Sequence, residues 1–182
     1  MKLIVGGAFQ GRRKWIKEQY LDLIRWMDLS DPGVLEPDLL NPGLWKSGFP
    51  YKSVPAVTSG ADDEAAGVVS DPLALFVRLK QDRIRRTEVL VNLEELLLQC
   101  IRKDQTLYSP EKMEIAAEAF AGSLFQINPD LVVVGREMGS GIVPAVSEER
   151  VLRELNGRVC TAVAQKCAEV YRVVCGIGTK IR

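Results

Sequence analysis

Residues 3–13 read LIVGGAFQGRR, and this stretch decides the fold. It begins with the apolar run Leu3 to Val5, which is typical of a buried strand, and continues into a glycine-rich turn. Beyond the turn, apolar side chains in residues 12–27 recur at intervals of one, three and four, which predicts an amphipathic helix. A strand, a glycine turn and a helix in this order favour a parallel α/β sheet with the first strand at its centre.

The rest of the chain continues this alternation of strands and helices. Strands are predicted at residues 88–91, 131–134 and 170–174, and helices at residues 72–80, 94–101, 109–126 and 147–169. We therefore expect one α/β domain over residues 1–182, a three-layer sandwich with a mainly parallel sheet. Residues 28–70 interrupt the pattern with proline and glycine turns, and form either a functional lid or an insertion.

Composition excludes several classes of function. The chain has 24 Lys plus Arg and 24 Asp plus Glu, so it is not a strongly basic nucleic-acid-binding protein. It contains no histidine, which excludes imidazole as base, metal ligand or covalent carrier. The four cysteines form no C-x-x-C pair, so no structural zinc site is predicted. No apolar run reaches the roughly 18–20 residues of a membrane span, and we expect a cytoplasmic protein with reduced thiols.

The glycine turn is the first candidate site. Gly6 and Gly11 have the spacing of the phosphate-binding loop G-x-x-x-x-G-K-[ST], whose backbone N–H groups bind phosphate at a helix N-terminus. Arg12 replaces the lysine of that pattern, and Arg13 replaces the hydroxyl residue that holds magnesium. Arginine neutralises phosphate but cannot ligate a metal. The candidate anion-binding residues are therefore Gly6, Gly7, Gly11, Arg12, Arg13 and Lys14, with no metal ligand among them; the alternative is a turn that binds nothing.

A second candidate follows the strand at residues 131–134. Glu137 lies on a glycine-containing turn with Gly139 and Gly141, at the carboxyl end of that strand. Ligands bind at this edge in open α/β sheets. Glu137 either contacts a ligand or stabilises the turn.

Three segments of the last third carry a resemblance to a known family: GREMGSGIVP (135–144), RVLRELNGRV (150–159) and GIGTK (176–180). They resemble the bifunctional adenosylcobinamide kinase/adenosylcobinamide-phosphate guanylyltransferase family, which has N-E-x-G-x-G-I-V-P followed by F-R-D-x-x-G-R-x-N-Q. The resemblance is strong over residues 131–182, fair over 3–11 and nearly absent over 12–87. It implies a P-loop nucleotide-binding fold, usually trimeric, that binds ATP or GTP and acts on a corrinoid.

The chain departs from that family at positions that carry chemistry. The family transfers GMP through a guanylylated histidine, and this chain has none. Asn92 aligns with the acid that ends the family's second apolar strand, and Cys160-Thr161 replaces its Asn-Gln. Glu94 and Glu95 follow closely, and are either a shifted acid or solvated helix residues. Residues that shape the backbone are retained, namely Gly139, Gly141, Pro144 and Gly157.

Three functions are compatible with this pattern. The favoured one is a degenerate family member that has no catalytic residue and binds a nucleotide or phosphate, with GTP or ATP as candidates and a corrinoid as a further ligand. Magnesium is in doubt because its usual anchors are replaced. The second is an active nucleotide-dependent cobinamide kinase of altered mechanism. The third is a structural partner of an authentic family member. The resemblance implies a homotrimer in each case.

Overall fold

The first strand lies inside a six-stranded sheet of order β2-β3-β4-β1-β5-β6. The computed structural model describes residues 1–22, 25–35, 72–103 and 109–182. Its strands are β1 (Lys2–Gly6), β2 (Trp26–Asp28), β3 (Val89–Val91), β4 (Val132–Arg136), β5 (Glu169–Val174) and β6 (Ile177–Lys180). Its helices are α1 (Arg12–Gln19), α2 (Pro32–Leu35), α3 (Pro72–Leu79), α4 (Gln81–Arg86), α5 (Leu93–Lys103), α6 (Pro110–Ile127) and α7 (Ser147–Lys166).

The sheet is parallel except for its last strand. β1 pairs in parallel with β4 and with β5, so that Leu3 lies beside Val133 and Val170. β2, β3 and β4 continue the parallel pairing on one side. β6 turns back from β5 and pairs with it antiparallel. The predicted parallel sheet and the central position of the first strand are confirmed.

Buried side chains cover both faces of the sheet. Neighbouring strand residues point to opposite faces, so Leu3 joins a large cluster with Phe76 and Phe120, while Ile4 joins a smaller one with Trp15. Helices α5, α6 and α7 pack together on the side of the large cluster, and α1 packs on β1, β5 and β6 on the other. Helices on both faces make the expected three-layer α/β sandwich of the P-loop type.

The helix predicted over residues 12–27 is wrong in its second half. α1 ends at Gln19, and Tyr20 leaves the helical conformation with φ −131° and ψ 71°. Trp26 and Met27 belong to β2 and pair with β3. A short apolar run fits a strand as well as a helix, and pairing with β3 decides between them.

Near the C-terminal end of the described chain, one helix boundary and one added strand differ from the prediction. α7 ends at Lys166, three residues before the predicted Glu169, because Glu169 begins β5. β6 is an additional strand whose residues are mostly exposed, so it lacks the apolar run that predicted the others.

Part of the proline- and glycine-rich segment lies outside the described residues. Its start is described, with β2 ending at Asp28 and the one-turn helix α2 following. Residues 36–71 are not described, and the lid or insertion predicted there stays a prediction. Within the described ranges, no helix is long and apolar enough to cross a membrane.

Candidate functional site

The glycine loop, residues 7–11, joins β1 to α1 at the carboxyl edge of the sheet. Gly11 precedes α1 with φ 79°, a left-handed conformation that glycine adopts without strain. The loop is held by the turn between β5 and β6, where Gly176 N donates to Gln10 O at 2.9 Å and Cys175 N donates to Gln10 Oε1 at 2.6 Å. On the other side, Glu137 N donates to Gly6 O at 2.9 Å. The β5–β6 turn therefore holds the loop, and Glu137 holds the end of β1 from which the loop starts.

A cavity of about 330 Å³ opens in front of this loop. Its lining comes from the loop and α1 and from the ends of β3 and β4: Phe9, Gln10, Gly11, Arg12, Arg13, Lys14, Val91, Asn92 and Val134. Ligands of open α/β sheets bind at this edge. The structure thus brings four of the predicted binding residues and Asn92 around one cavity, which we call the loop cavity.

The three cations at the loop cavity have different surroundings. Arg12, the first residue of α1, is partly buried and donates from its guanidinium to the carbonyl oxygen of Gly135. Arg13 pairs with Asp28, with 2.7 Å between its NH2 and Oδ2. Lys14 is the most exposed of the three, and its Nζ lies 3.8 Å from Glu18. Lys14 is therefore the cation freest to move toward a ligand.

Asp28 is a site residue that sequence reasoning missed. Its Oδ1 accepts from Ser30 N at 2.9 Å, Ser30 Oγ at 2.7 Å and Asn92 Nδ2 at 2.6 Å, and its Oδ2 accepts from Arg13. Burial alone would raise the pKa of Asp28, but these hydrogen bonds outweigh it and lower the pKa to about 2. The signal in the sequence is an acid directly after the apolar residues Trp26 and Met27. It indicates a site residue only if these residues are recognised as a strand.

Asp28→Asn is expected to destabilise the protein near neutral pH by about 1 kcal/mol, a modest value because the side chain is a third exposed. Since the folded pKa is depressed, the contribution of Asp28 is present above its unfolded pKa of about 3.9 and is lost as the pH falls toward 2. Urea unfolding near pH 7, 4 and 3 measures this. Asp22→Asn, at an exposed position, is the control. If the difference in the free energy of unfolding between the wild type and Asp28→Asn did not shrink in acid, the hydrogen bonds of the Asp28 carboxylate would not be what stabilises the protein.

Asn92 follows β3 and borders the loop cavity. Its φ is 60°, in the left-handed region that asparagine tolerates better than most residues. Its Nδ2 donates to Asp28 and, at 3.0 Å, to Ser30 Oγ. The amide is therefore a donor to an acid here, and brings no charge of its own to a metal. Within the described ranges, no cluster of three acidic, cysteine or histidine side chains could hold a metal ion.

Glu137 lies in a separate group of contacts. Arg172 of β5 binds it through two nitrogens, with Nε 3.0 Å from Oε2 and NH2 2.9 Å from Oε1. Ser140 Oγ donates to Oε1 at 3.2 Å. Both carboxylate oxygens are thus engaged by the protein, which favours the turn-stabilising role over ligand contact.

Gly139 helps to line a second cavity of about 560 Å³ beside α7. Arg153 of α7 donates to the carbonyl oxygens of Gly139 and Gly141. Arg150 donates to the carbonyl oxygens of Pro144 at 2.9 Å and Ala145 at 2.6 Å. These arginines hold the segment 139–145 in place. The predicted binding residues are therefore divided between the loop cavity, the contacts of Glu137 with Arg172, and the segment held against α7.

Glu94 is predicted to be either a shifted acid or a solvated helix residue, and the structure shows it buried. It lies in the first turn of α5 and is 8% exposed, while Glu95 beside it is partly exposed. Its Oε2 is buried and has no hydrogen-bond partner within the described residues. The solvated interpretation is therefore wrong for Glu94, because its side chain is buried.

Comparison with known proteins identifies one family and a curated relative. A family model described as cobinamide kinase / cobinamide phosphate guanyltransferase matches residues 65–181. The bifunctional adenosylcobalamin biosynthesis protein CobU of Escherichia coli (strain K12) is 37% identical over 84 residues. That match covers 44% of this chain and 46% of the E. coli protein, so the similar region spans about half of the relative's length.

Proposed function

Because the chain belongs to the cobinamide kinase / cobinamide phosphate guanyltransferase family of cobalamin biosynthesis, we propose that it is a divergent member that binds a nucleotide or inorganic phosphate at the glycine loop without guanylyl transfer. The observation that carries this proposal is the loop cavity, with backbone N–H groups at a helix N-terminus and cations on three successive residues. GTP and ATP are the candidate nucleotides, and a corrinoid is a further candidate ligand.

The absence of guanylyl transfer rests on composition. A covalent guanylyl-histidine requires an imidazole, and the chain has no histidine. The proposed loss of magnesium binding rests on the contacts of Asp28 beside the loop cavity. Arg13 stands where the hydroxyl ligand would be and is paired with Asp28, while Asn92 donates to the same carboxylate. Anion binding by the loop therefore depends on N–H groups and cations alone.

Magnesium is expected to leave nucleotide affinity unchanged. We expect GTP and ATP titrations by calorimetry to give dissociation constants within about twofold of each other with excess magnesium and with a chelator. Affinity should fall as salt rises, because exposed ion pairs are screened. If magnesium tightened binding tenfold, about 1.4 kcal/mol, the metal-free proposal would be wrong. An active cobinamide kinase, which the buried acid Glu94 in the first turn of α5 favours as the second candidate, would then be the better conclusion.

The remaining proposals concern the whole protein. We propose a single domain over residues 1–182 that acts in the cytoplasm as a homotrimer. The assembly is inferred from the family that the last third resembles. A role as structural partner of an authentic family member stays an alternative, and nucleotide binding by the isolated protein would count against it.

A further inference from the structure

Phe9 is a fully exposed aromatic residue of the glycine loop, in a backbone conformation that phenylalanine rarely adopts. The protein buries none of its side chain. Its φ is 57°, in the left-handed region. A bulky residue in this region costs free energy, and burial of the ring does not offset that cost here. The stability of the fold therefore does not explain a phenylalanine at this position.

The next residue, Gln10, fixes the backbone that presents Phe9. Its carbonyl oxygen accepts from Gly176 N at 2.9 Å, and its Oε1 accepts from Cys175 N at 2.6 Å. Its Cγ would lie 3.2 Å from a Cβ at Gly7, so the side chain folds back over the start of the loop. Strained conformations persist where the surrounding contacts impose them, and they cluster at ligand sites. The β5–β6 turn therefore holds Phe9 in its unfavourable conformation.

The lining of the loop cavity combines two kinds of side chain. Its cations come from the first turn of α1, and its apolar side chains are Phe9, Val91 and Val134. Val91 and Val134 are buried in the core, so Phe9 is the apolar side chain of this lining that offers a whole ring to a ligand. Inorganic phosphate would use the cations alone, whereas a nucleotide has a planar base in addition to its phosphates. The lining therefore fits a nucleotide better than inorganic phosphate.

We propose that Phe9 is a ligand-contacting residue that stacks on the base of a nucleotide whose phosphates are bound by the glycine loop. The inference rests on the proposed function and narrows its ligand from a nucleotide or inorganic phosphate to a nucleotide. Every base has a π-face, so stacking adds affinity without selecting one base. Phe9 should therefore strengthen the binding of GTP and of ATP alike.

The test compares nucleotides with inorganic tripolyphosphate, which has three linked phosphates and no base, in calorimetry on the whole chain. Phe9→Leu keeps an apolar side chain and removes the planar ring. We expect it to weaken GTP and ATP binding about tenfold and to change tripolyphosphate binding by less than about twofold. Phe125→Leu, at an exposed phenylalanine of α6, is the matched control and should change the affinity for none of these ligands.

Two further variants separate the ring from the conformation of the loop. Phe9→Trp keeps a planar ring and should bind GTP at least as tightly as the wild type. The fluorescence of the added tryptophan should change with GTP and not with tripolyphosphate. Phe9→Gly removes the ring and relieves the strain at φ 57°, so it should bind GTP about tenfold more weakly while its Tm rises by about 2 °C. A gain in stability together with a loss of base binding indicates a residue that serves ligand contact.

The two ligands distinguish failure of the inference from failure of the proposed function. Equal losses of GTP and tripolyphosphate affinity in Phe9→Leu would overturn the inference, because Phe9 would then act through the loop backbone. Unchanged GTP binding by Phe9→Leu, or a lower Tm for Phe9→Gly, would also overturn it and leave anion binding by the loop intact. If the wild type binds tripolyphosphate but no nucleotide, the inference fails and the anion site stands. If the wild type binds neither, both fail.

Discussion

Replacing Gly6 by alanine is expected to destabilise the protein by about 3 kcal/mol and to lower Tm by roughly 10 °C for a chain of this size. A Cβ at Gly6 would lie well inside 3.0 Å of the carbonyl oxygen of Val173, a distance that real Cβ atoms do not adopt. That oxygen belongs to the backbone of β5, which pairs with β1, so neither strand can shift without breaking the sheet. The same Cβ would press on Arg12 and disturb the loop cavity. Urea unfolding followed by circular dichroism measures the loss.

Gly122→Ala is the matched control for this substitution. Gly122 lies inside α6, and a Cβ there would meet no atom within 4 Å. Alanine is the better helix former, so this variant should gain about 0.5–1 kcal/mol. If Gly6→Ala and Gly122→Ala behaved alike, the close approach of β1 to β5 would not be what requires glycine at position 6.

Asn92→Asp is expected to destabilise the protein by about 2 kcal/mol near pH 7. The amide nitrogen of Asn92 lies 2.6 Å from Asp28 Oδ1, so the substitution replaces a donor with a second carboxylate beside the first. The pair would share a proton, which raises the folded pKa of one member. The loss is therefore present above that raised pKa and shrinks as the pH falls through it. Urea unfolding at several pH values between 7 and 4 tests whether the loss of stability shrinks as the pH falls.

Magnesium adds a second measurement on this variant. Two carboxylates with the Ser30 hydroxyl would form a set of oxygen ligands at the edge of the loop cavity, and oxygen is the ligand that magnesium prefers. Magnesium should raise the Tm of Asn92→Asp and leave the wild type unchanged. Asn92→Gly, which tolerates the φ of 60° and adds no charge, should lose stability independently of magnesium and, between pH 7 and 4, of pH. A stable, pH-insensitive Asn92→Asp would mean that Asp28 does not lie against this amide.

The sequence predicts the centre of the sheet better than its margins. β1 and β4 are short apolar runs buried from both faces, and such runs have few alternatives to a central parallel strand. β2 is hidden because Trp26 and Met27 continue the spacing of the preceding helix, and only pairing with β3 distinguishes the two. β6 is exposed, so no apolar pattern marks it.

The candidate site, too, can be predicted from the sequence only in part. Glycine spacing and strand ends bring the loop, Arg12 and Asn92 to one cavity, because the carboxyl ends of parallel strands meet at one edge. Asp28 is missed because its strand is missed. The burial of Glu94 could not be predicted, since an acid in the first turn of an amphipathic helix resembles a solvated one in the sequence.

The pairing of β1 determines when the loop cavity can form during synthesis. Lys2 pairs with Val132 and Glu169, and Gln10 of the loop is held by the backbone of Gly176. During synthesis β1 therefore finds its neighbours β4 and β5 only after the residues up to Val174 have been made. Contacts so distant along the chain close slowly, and until then the apolar β1 is exposed to aggregation. The proposed anion binding should consequently appear only after β4 and β5 have been made, and protection of β1 by a chaperone until then should increase the yield of folded protein.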